Sequence, residues 1–176
     1  MRRIVIGLVA AASVATLILA GAAGAAGRAD ELTAVRAATA AFHDFDVASD
    51  AGYGQLHICT DDAGVGAMGQ HYVKFAIVGD TVVDPREPEA LMYEPLRGGG
   101  QRLVAVEWVV FQDAWVAAGN DLSDPPTLFG RTFAPNPGTR YGVPPFFQLH
   151  AWVWKPNPAG VFADMNPRAS CLGNGD

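Results

Sequence analysis

The chain has 176 residues, with 12 Lys and Arg against 18 Asp and Glu, a net charge of −6. No stretch gathers basic residues, which argues against nucleic acid or an anionic membrane surface as partners. Half of the residues are hydrophobic, so the roughly 150 residues beyond the first 26 suffice for one domain with a real core.

Arg2 and Arg3 precede an uncharged apolar run, Ile4 to Ala20, and small residues continue to Ala26. This is the pattern of a cleaved secretory signal peptide over 1–26, leaving a single secreted domain over 27–176 and no membrane partner. A retained membrane anchor is the competing reading, with 17 uncharged residues near the lower limit for spanning.

Asp30 to Ala51 reads as one helix. Asp30 is the expected N-cap, and Leu32, Val35, Ala38, Phe42 and Phe45 form the apolar stripe. Gly52 supplies the stop, and His43 sits beside the stripe as a surface or groove-edge residue. Gln55 to Thr60 reads as a short strand carrying His57 and Cys59 on one face. Gly64 to Gly69 lacks the Gly-Lys-Ser/Thr ending of a phosphate loop.

Strands follow over His71–Val78, Thr81–Val83 and Ala90–Glu94. Gly98-Gly99-Gly100 makes a hairpin to the longest strand, Arg102–Gln112. Asp113 to Val143 reads as a long proline-rich loop anchored by Leu128-Phe129-Gly130. From Phe146 a last strand places Phe147, Leu149, Ala151 and Val153 on one face and Gln148, His150, Trp152 and Trp154 on the other. Pro156 and the turn residues Asn157 to Gly160 end it. The fold expected is α+β: an N-terminal helix on one face of a mostly antiparallel, curved β-sheet with long proline-rich loops.

The two cysteines, Cys59 and Cys171, read as a disulfide in an exported protein. A metal-binding or redox pair is the alternative, and no CxxC spacing supports it.

Glu107 is the most informative residue. Both faces of its strand are apolar, so the strand is central and the carboxylate needs a partner: a structural arginine or amide, or a functional ligand. Strict alternation puts Leu103, Ala105, Val109 and Phe111 on its face. His71 and His150 lie on other strands, and two imidazoles with one carboxylate can hold a divalent metal. There is no HxH or HExxH motif, so a structural role for each histidine is the competing reading. Tyr72, Trp108, Trp152 and Trp154 are candidate cleft-wall aromatics. A carboxylate pair for glycoside chemistry requires Glu94 to lie near Glu107. Ser49, Ser123 and Ser170 stand in no nucleophile elbow.

GAMGQHY (66–72), PEALMYEP (88–95), LVAVEW (103–108), LFG (128–130) and LHAWVWKPNPAGVFADMNPRASC (149–171) together resemble a family of small secreted proteins of actinobacterial type with no assigned activity. Met165 stands where the family pattern has Trp or Pro. The resemblance implies a secreted single-domain bacterial protein and supplies no substrate.

Three functions follow as expectations. One is a secreted protein binding a small ligand or divalent metal in a cleft near His71, Glu107 and His150. The second is a metal-assisted hydrolase using the same residues. The third is a structural or interaction module without a small-molecule site. The geometry of one helix on one sheet face predicts Leu149 and Val153 against Phe42 or Phe45, and the 113–143 loop roofing the opposite face.

Overall fold

The computed structural model describes residues 27–172, so the reading of 1–26 as a signal peptide lies outside the described residues. The strands are β1 (Tyr53–Asp62), β2 (Gly66–Lys74), β3 (Ala90–Pro95), β4 (Gln101–Phe111), β7 (Ala134–Asn136) and β8 (Phe146–Ala151). They form one curled sheet in the order β1-β2-β3-β4-β8-β7, antiparallel throughout. β5 (Thr127–Leu128) and β6 (Arg131–Thr132) pair separately. The fold is α+β, with β4 central as its apolar faces require.

The expected single helix is two. A helix over 27–39, α1, runs into a 3₁₀ turn at Ala40–His43, and α2 spans Phe45–Asp50. Asp30 therefore lies inside α1 instead of capping it. The break falls at Asp44, whose backbone is extended and whose carboxylate accepts from the Asp46 amide at 3.1 Å, starting a second helix. Gly52, at φ 93°, supplies the expected stop. Phe42 meets the Tyr53 ring edge-on at 5.3 Å, and Phe45 meets Tyr72 at 4.7 Å. The Tyr93 hydroxyl donates to the Phe42 carbonyl at 2.6 Å. Leu149 and Val153 share this helix-side core with Phe42 and Phe45, as predicted, and Val35, Leu91 and Trp108 join them.

Three strand readings change. β2 spans Gly66–Lys74 instead of His71–Val78: Gly69 takes φ 98° and lets the Tyr93 carbonyl approach where a Cβ would sit 2.7 Å away, and past Lys74 the chain turns. Thr81–Val83 forms no strand. The Asp80 carboxylate accepts from the Val82 amide at 2.9 Å and that of Asp84 from the Arg86 amide at 2.7 Å, holding the segment in local turns. In β4 the register slips: Met92 pairs with Ala105 but Tyr93 with Leu103, so Val104 is a bulge. Leu103 thereby joins Val106 and Trp108 on the helix side, while Val104 joins Ala105 on the other. Strict alternation had put Leu103 on the Glu107 face.

The 113–143 segment also departs from the expected roof. It opens with α3 (Gln112–Ala117), and its Phe129 and Phe133 enter the helix-side core, Phe129 against Trp108 at 5.1 Å. β7 then pairs with the edge of β8, so the chain rounds the sheet there, and Tyr141 and Val143 pack on the far face. The rest of that face is covered by the segment after β8. It returns to bridge Ala67 with Asn166 and is fixed by the Cys59–Cys171 disulfide, Cα atoms 5.7 Å apart. Among the described residues no helix is long and apolar enough to cross a membrane.

Candidate metal centre

The far face of the sheet collects alternate residues from four strands: His71 and Val73 of β2, Ala90 and Met92 of β3, Glu107 and Val109 of β4, Phe146 and His150 of β8. Glu107 lies directly opposite His150 in the β4–β8 register and directly opposite Ala90 in the β3–β4 register. His71 comes from β2, one strand further away. On β3, Met92 faces His71 and Ala90 faces Glu107.

The three predicted residues converge. His150 Nε2 is 3.3 Å from Glu107 Oε1, and His71 Nε2 is 3.6 Å from Glu107 Oε2. One donor atom from each lies within 4.8 Å of the others. His71, Glu107 and His150 expose only 4%, 5% and 1% of their surface, so none is a solvated surface charge. Two ring nitrogens, His71 Nδ1 and His150 Nε2, have no hydrogen-bond partner among the described residues. A buried polar atom left unpaired is costly, and His150 Nε2 is the one of the two that faces the Glu107 carboxylate.

Asp164, which sequence reasoning missed, completes the arrangement. Its Oδ1 accepts from His150 Nδ1 at 2.9 Å. That bond puts the ring proton on Nδ1 and turns the Nε2 lone pair toward Glu107. The signal in the sequence was the turn run Pro156–Gly160, which folds the chain back beside β8. The Trp152 amide donates to the Val161 carbonyl at 2.8 Å and its indole to the Ala163 carbonyl at 2.6 Å.

The electrostatics follow from burial. His71 is driven down to about 3, first by burial and then by the neighbouring His150, so it is neutral at physiological pH. Burial also pulls His150 down, but Glu107 and Asp164 flank its ring and together hold it above the ordinary histidine value. Burial raises Glu107, opposed by His150 and reinforced by Asp164. Asp164 is held low, chiefly by the hydrogen bond from His150.

A pocket of about 110 Å³ opens onto His71 and Glu107. Its other walls are Leu56, Val73, Phe75, Val78, Val109, Phe111, Tyr141, Val143 and Phe146. Tyr141, also missed, lies with its ring centroid 6.0 Å from that of His71 and its hydroxyl on Met68 Sδ at 3.6 Å. No local motif signals it. On the opposite side of His150 lies a separate polar recess lined by Gln148, Asp164, Arg131 and Thr132.

The cleft-wall aromatics are corrected. Tyr72 follows His71 in one strand, so it must face the other way, and it packs under Phe45 on the helix side. Trp154 lies beyond the end of β8, where alternation no longer holds. Its indole donates to Thr39 Oγ1 at 3.1 Å, and its ring packs edge-on against exposed His43 at 4.3 Å. Trp152 is on the His150 face but is packed among Met92 and Ala105, outside the pocket. Trp108 belongs to the helix-side core. Glu94 is no partner for Glu107: fully buried, it accepts from Lys155 Nζ at 2.7 and 2.8 Å and from the Ser170 amide at 2.8 Å.

A further buried carboxylate is Glu89. Its Oε2 accepts from the Val109 amide at 3.0 Å, replacing the backbone partner that β3 no longer supplies past Ala90. Burial pushes Glu89 up to about 8, against the pull of that amide. Comparison of the chain with protein-family models, curated proteins and solved structures finds no match.

Proposed function

We propose that this is an exported metal-binding protein in which His71, Glu107 and His150 hold a divalent transition-metal ion in front of an apolar pocket. The observation that carries the reading is the convergence of three buried donor atoms within 4.8 Å of one another. Two imidazoles and a carboxylate are the donor set of zinc sites that keep an open position, and of iron(II) sites with a facial triad. The Asp164–His150 hydrogen bond is the outer support that metal-ligating histidines commonly have. Export is supported by the Cys59–Cys171 disulfide, by the pattern of residues 1–26 and by the motifs resembling a secreted bacterial family.

Binding is better supported than metal-assisted hydrolysis. A hydrolase of this kind needs a base beside the metal-bound water, and Glu107 is already spent as a ligand. Among the described residues lining the pocket, the one remaining group able to transfer a proton is the Tyr141 hydroxyl, which burial makes a weaker acid.

The test is metal content. Untagged, disulfide-intact protein is dialysed against Zn²⁺, Mn²⁺ or Fe²⁺ and assayed by elemental mass spectrometry. One ion per chain is expected, with loss in His150→Ala and Glu107→Gln variants that retain their circular dichroism. Folded wild-type protein that takes up none of the three ions stoichiometrically would leave the structural-module reading.

A further inference from the structure

We infer that the pocket in front of the metal takes a short-chain aliphatic monocarboxylate, its carboxylate on the ion and its hydrocarbon tail among Leu56, Val73, Val78, Val109 and Phe146. The inference rests on the metal-binding reading and adds the ligand class.

Three observations select that class. The first is charge. Glu107 is the one anionic donor of the three, so a divalent ion held there keeps a net positive charge. No other acidic or basic side chain lines the pocket among the described residues. A monoanionic head is therefore attracted, while a phosphate finds no arginine and a second carboxylate finds no cation. The second is polarity. Apart from the donors and Tyr141, every lining residue is apolar, so a hydroxylated tail such as a sugar would lose its water without replacement. The third is size. A cavity of ~150 Å³ accepts benzene. The 110 Å³ pocket accordingly takes roughly four tail carbons by the same proportion. Two of the three metal donors, His71 and Glu107, are themselves in the pocket wall, so head and tail can be satisfied together. Phe75, 58% exposed, and the partly buried Val143 form the mouth.

Cobalt-loaded protein makes this measurable, because the visible bands of Co²⁺ shift when a carboxylate joins its coordination. Acetate, propanoate, butanoate, pentanoate and succinate are titrated separately. Each added methylene should tighten binding roughly fourfold, making pentanoate roughly sixty-fold tighter than acetate. Succinate should bind no better than acetate. Phe75→Asp should flatten the chain-length series, and Val143→Asp serves the same purpose if the first variant fails to fold. A series flat in chain length, or one that succinate wins, with Co²⁺ stoichiometrically bound, overturns this inference and leaves the metal reading standing. Failure to bind Co²⁺, Zn²⁺, Mn²⁺ or Fe²⁺ overturns both.

Discussion

Asp164→Asn should weaken zinc binding about tenfold without unfolding the protein. The substitution keeps the size of the side chain and removes the charge that orients His150 through the 2.9 Å bond to Nδ1. Carboxylates placed behind metal-ligating histidines are typically worth 10–100-fold in affinity. The Asp164 side chain is 53% exposed, so water screens it, and the lower end of that range applies. Tenfold corresponds to about 1.4 kcal/mol. Asp164 also holds the His150 pKa up, and metal must displace that proton. Removing Asp164 therefore has two effects of opposite sign near neutral pH: poorer orientation and weaker proton competition. Competition titration against a chromophoric chelator should be run from neutral to alkaline pH. The loss should be largest at the alkaline end, where proton competition for His150 is weakest in both proteins. Equal affinity of wild type and variant throughout that range would refute the placement of Asp164 behind a ligand. So would a loss largest at low pH.

Glu89 is raised from 4.5 to about 8, so the folded protein holds a proton that the unfolded chain releases between those values. The Glu89 contribution to stability is full below the unfolded value and is lost as pH rises through that window, by at most about 1.4 kcal/mol per unit; His71, held down to about 3, opposes it up to about 6.5, so the net fall is read between there and 8. Glu89→Gln should flatten the slope in urea titrations, and an unchanged slope would contradict the assignment. The Cys59–Cys171 bridge closes a separation of 112 residues. Its removal should cost roughly 2–5 kcal/mol, and thiol labelling of denatured, unreduced protein should find no free thiol. Leu149→Ala, in the helix-side core at 7% exposure, should cost roughly 2–5 kcal/mol while leaving zinc stoichiometry at one. Ala90→Leu puts a branched side chain directly opposite Glu107 in the β3–β4 register. It should cost roughly 1–3 kcal/mol by overpacking and abolish zinc binding, as measured by calorimetry on the folded variant.

The sequence spoke most clearly where local chemistry decides the outcome. The doubly apolar strand around Glu107 could only be central, and period-two alternation on β8 separated His150 from Leu149. Two cysteines with no competitor paired. The reading failed where a single residue resets the phase. Asp44 restarts a helix through one side-chain bond, and the Val104 bulge moves Leu103 to the other face. Past Ala151 the strand ends, so counting by twos no longer places Trp154. Tyr72 follows His71 in the same strand, so alternation sends it to the helix side, away from the pocket. Asp164 and Tyr141 arrive from loops whose paths depend on long-range contacts, and alternation carries no information about them.

The position of the site follows from how two faces of one sheet are covered. One helical segment, with Phe129 and Phe133, seals the side bearing Trp108. Among the described residues the far side has no helix, and two unrelated pieces of chain share it. Tyr141 to Phe146 packs from one direction, and the 157–171 strap returns from the other. The strap contributes Asp164, and its end is tied to β1 by the disulfide, so the bridge does more than restrict the unfolded chain. It anchors the segment carrying the carboxylate that sets the His150 tautomer. The His71 and Glu107 donors lie where the two covers fail to meet, which leaves them buried yet open to the apolar pocket. Reduction of Cys59–Cys171 should for this reason weaken zinc binding before the sheet unfolds. Zinc affinity that stays constant in reduced but folded protein would show that the Ala67–Asn166 bridge and the Trp152 bonds to Val161 and Ala163 hold the strap in place without it.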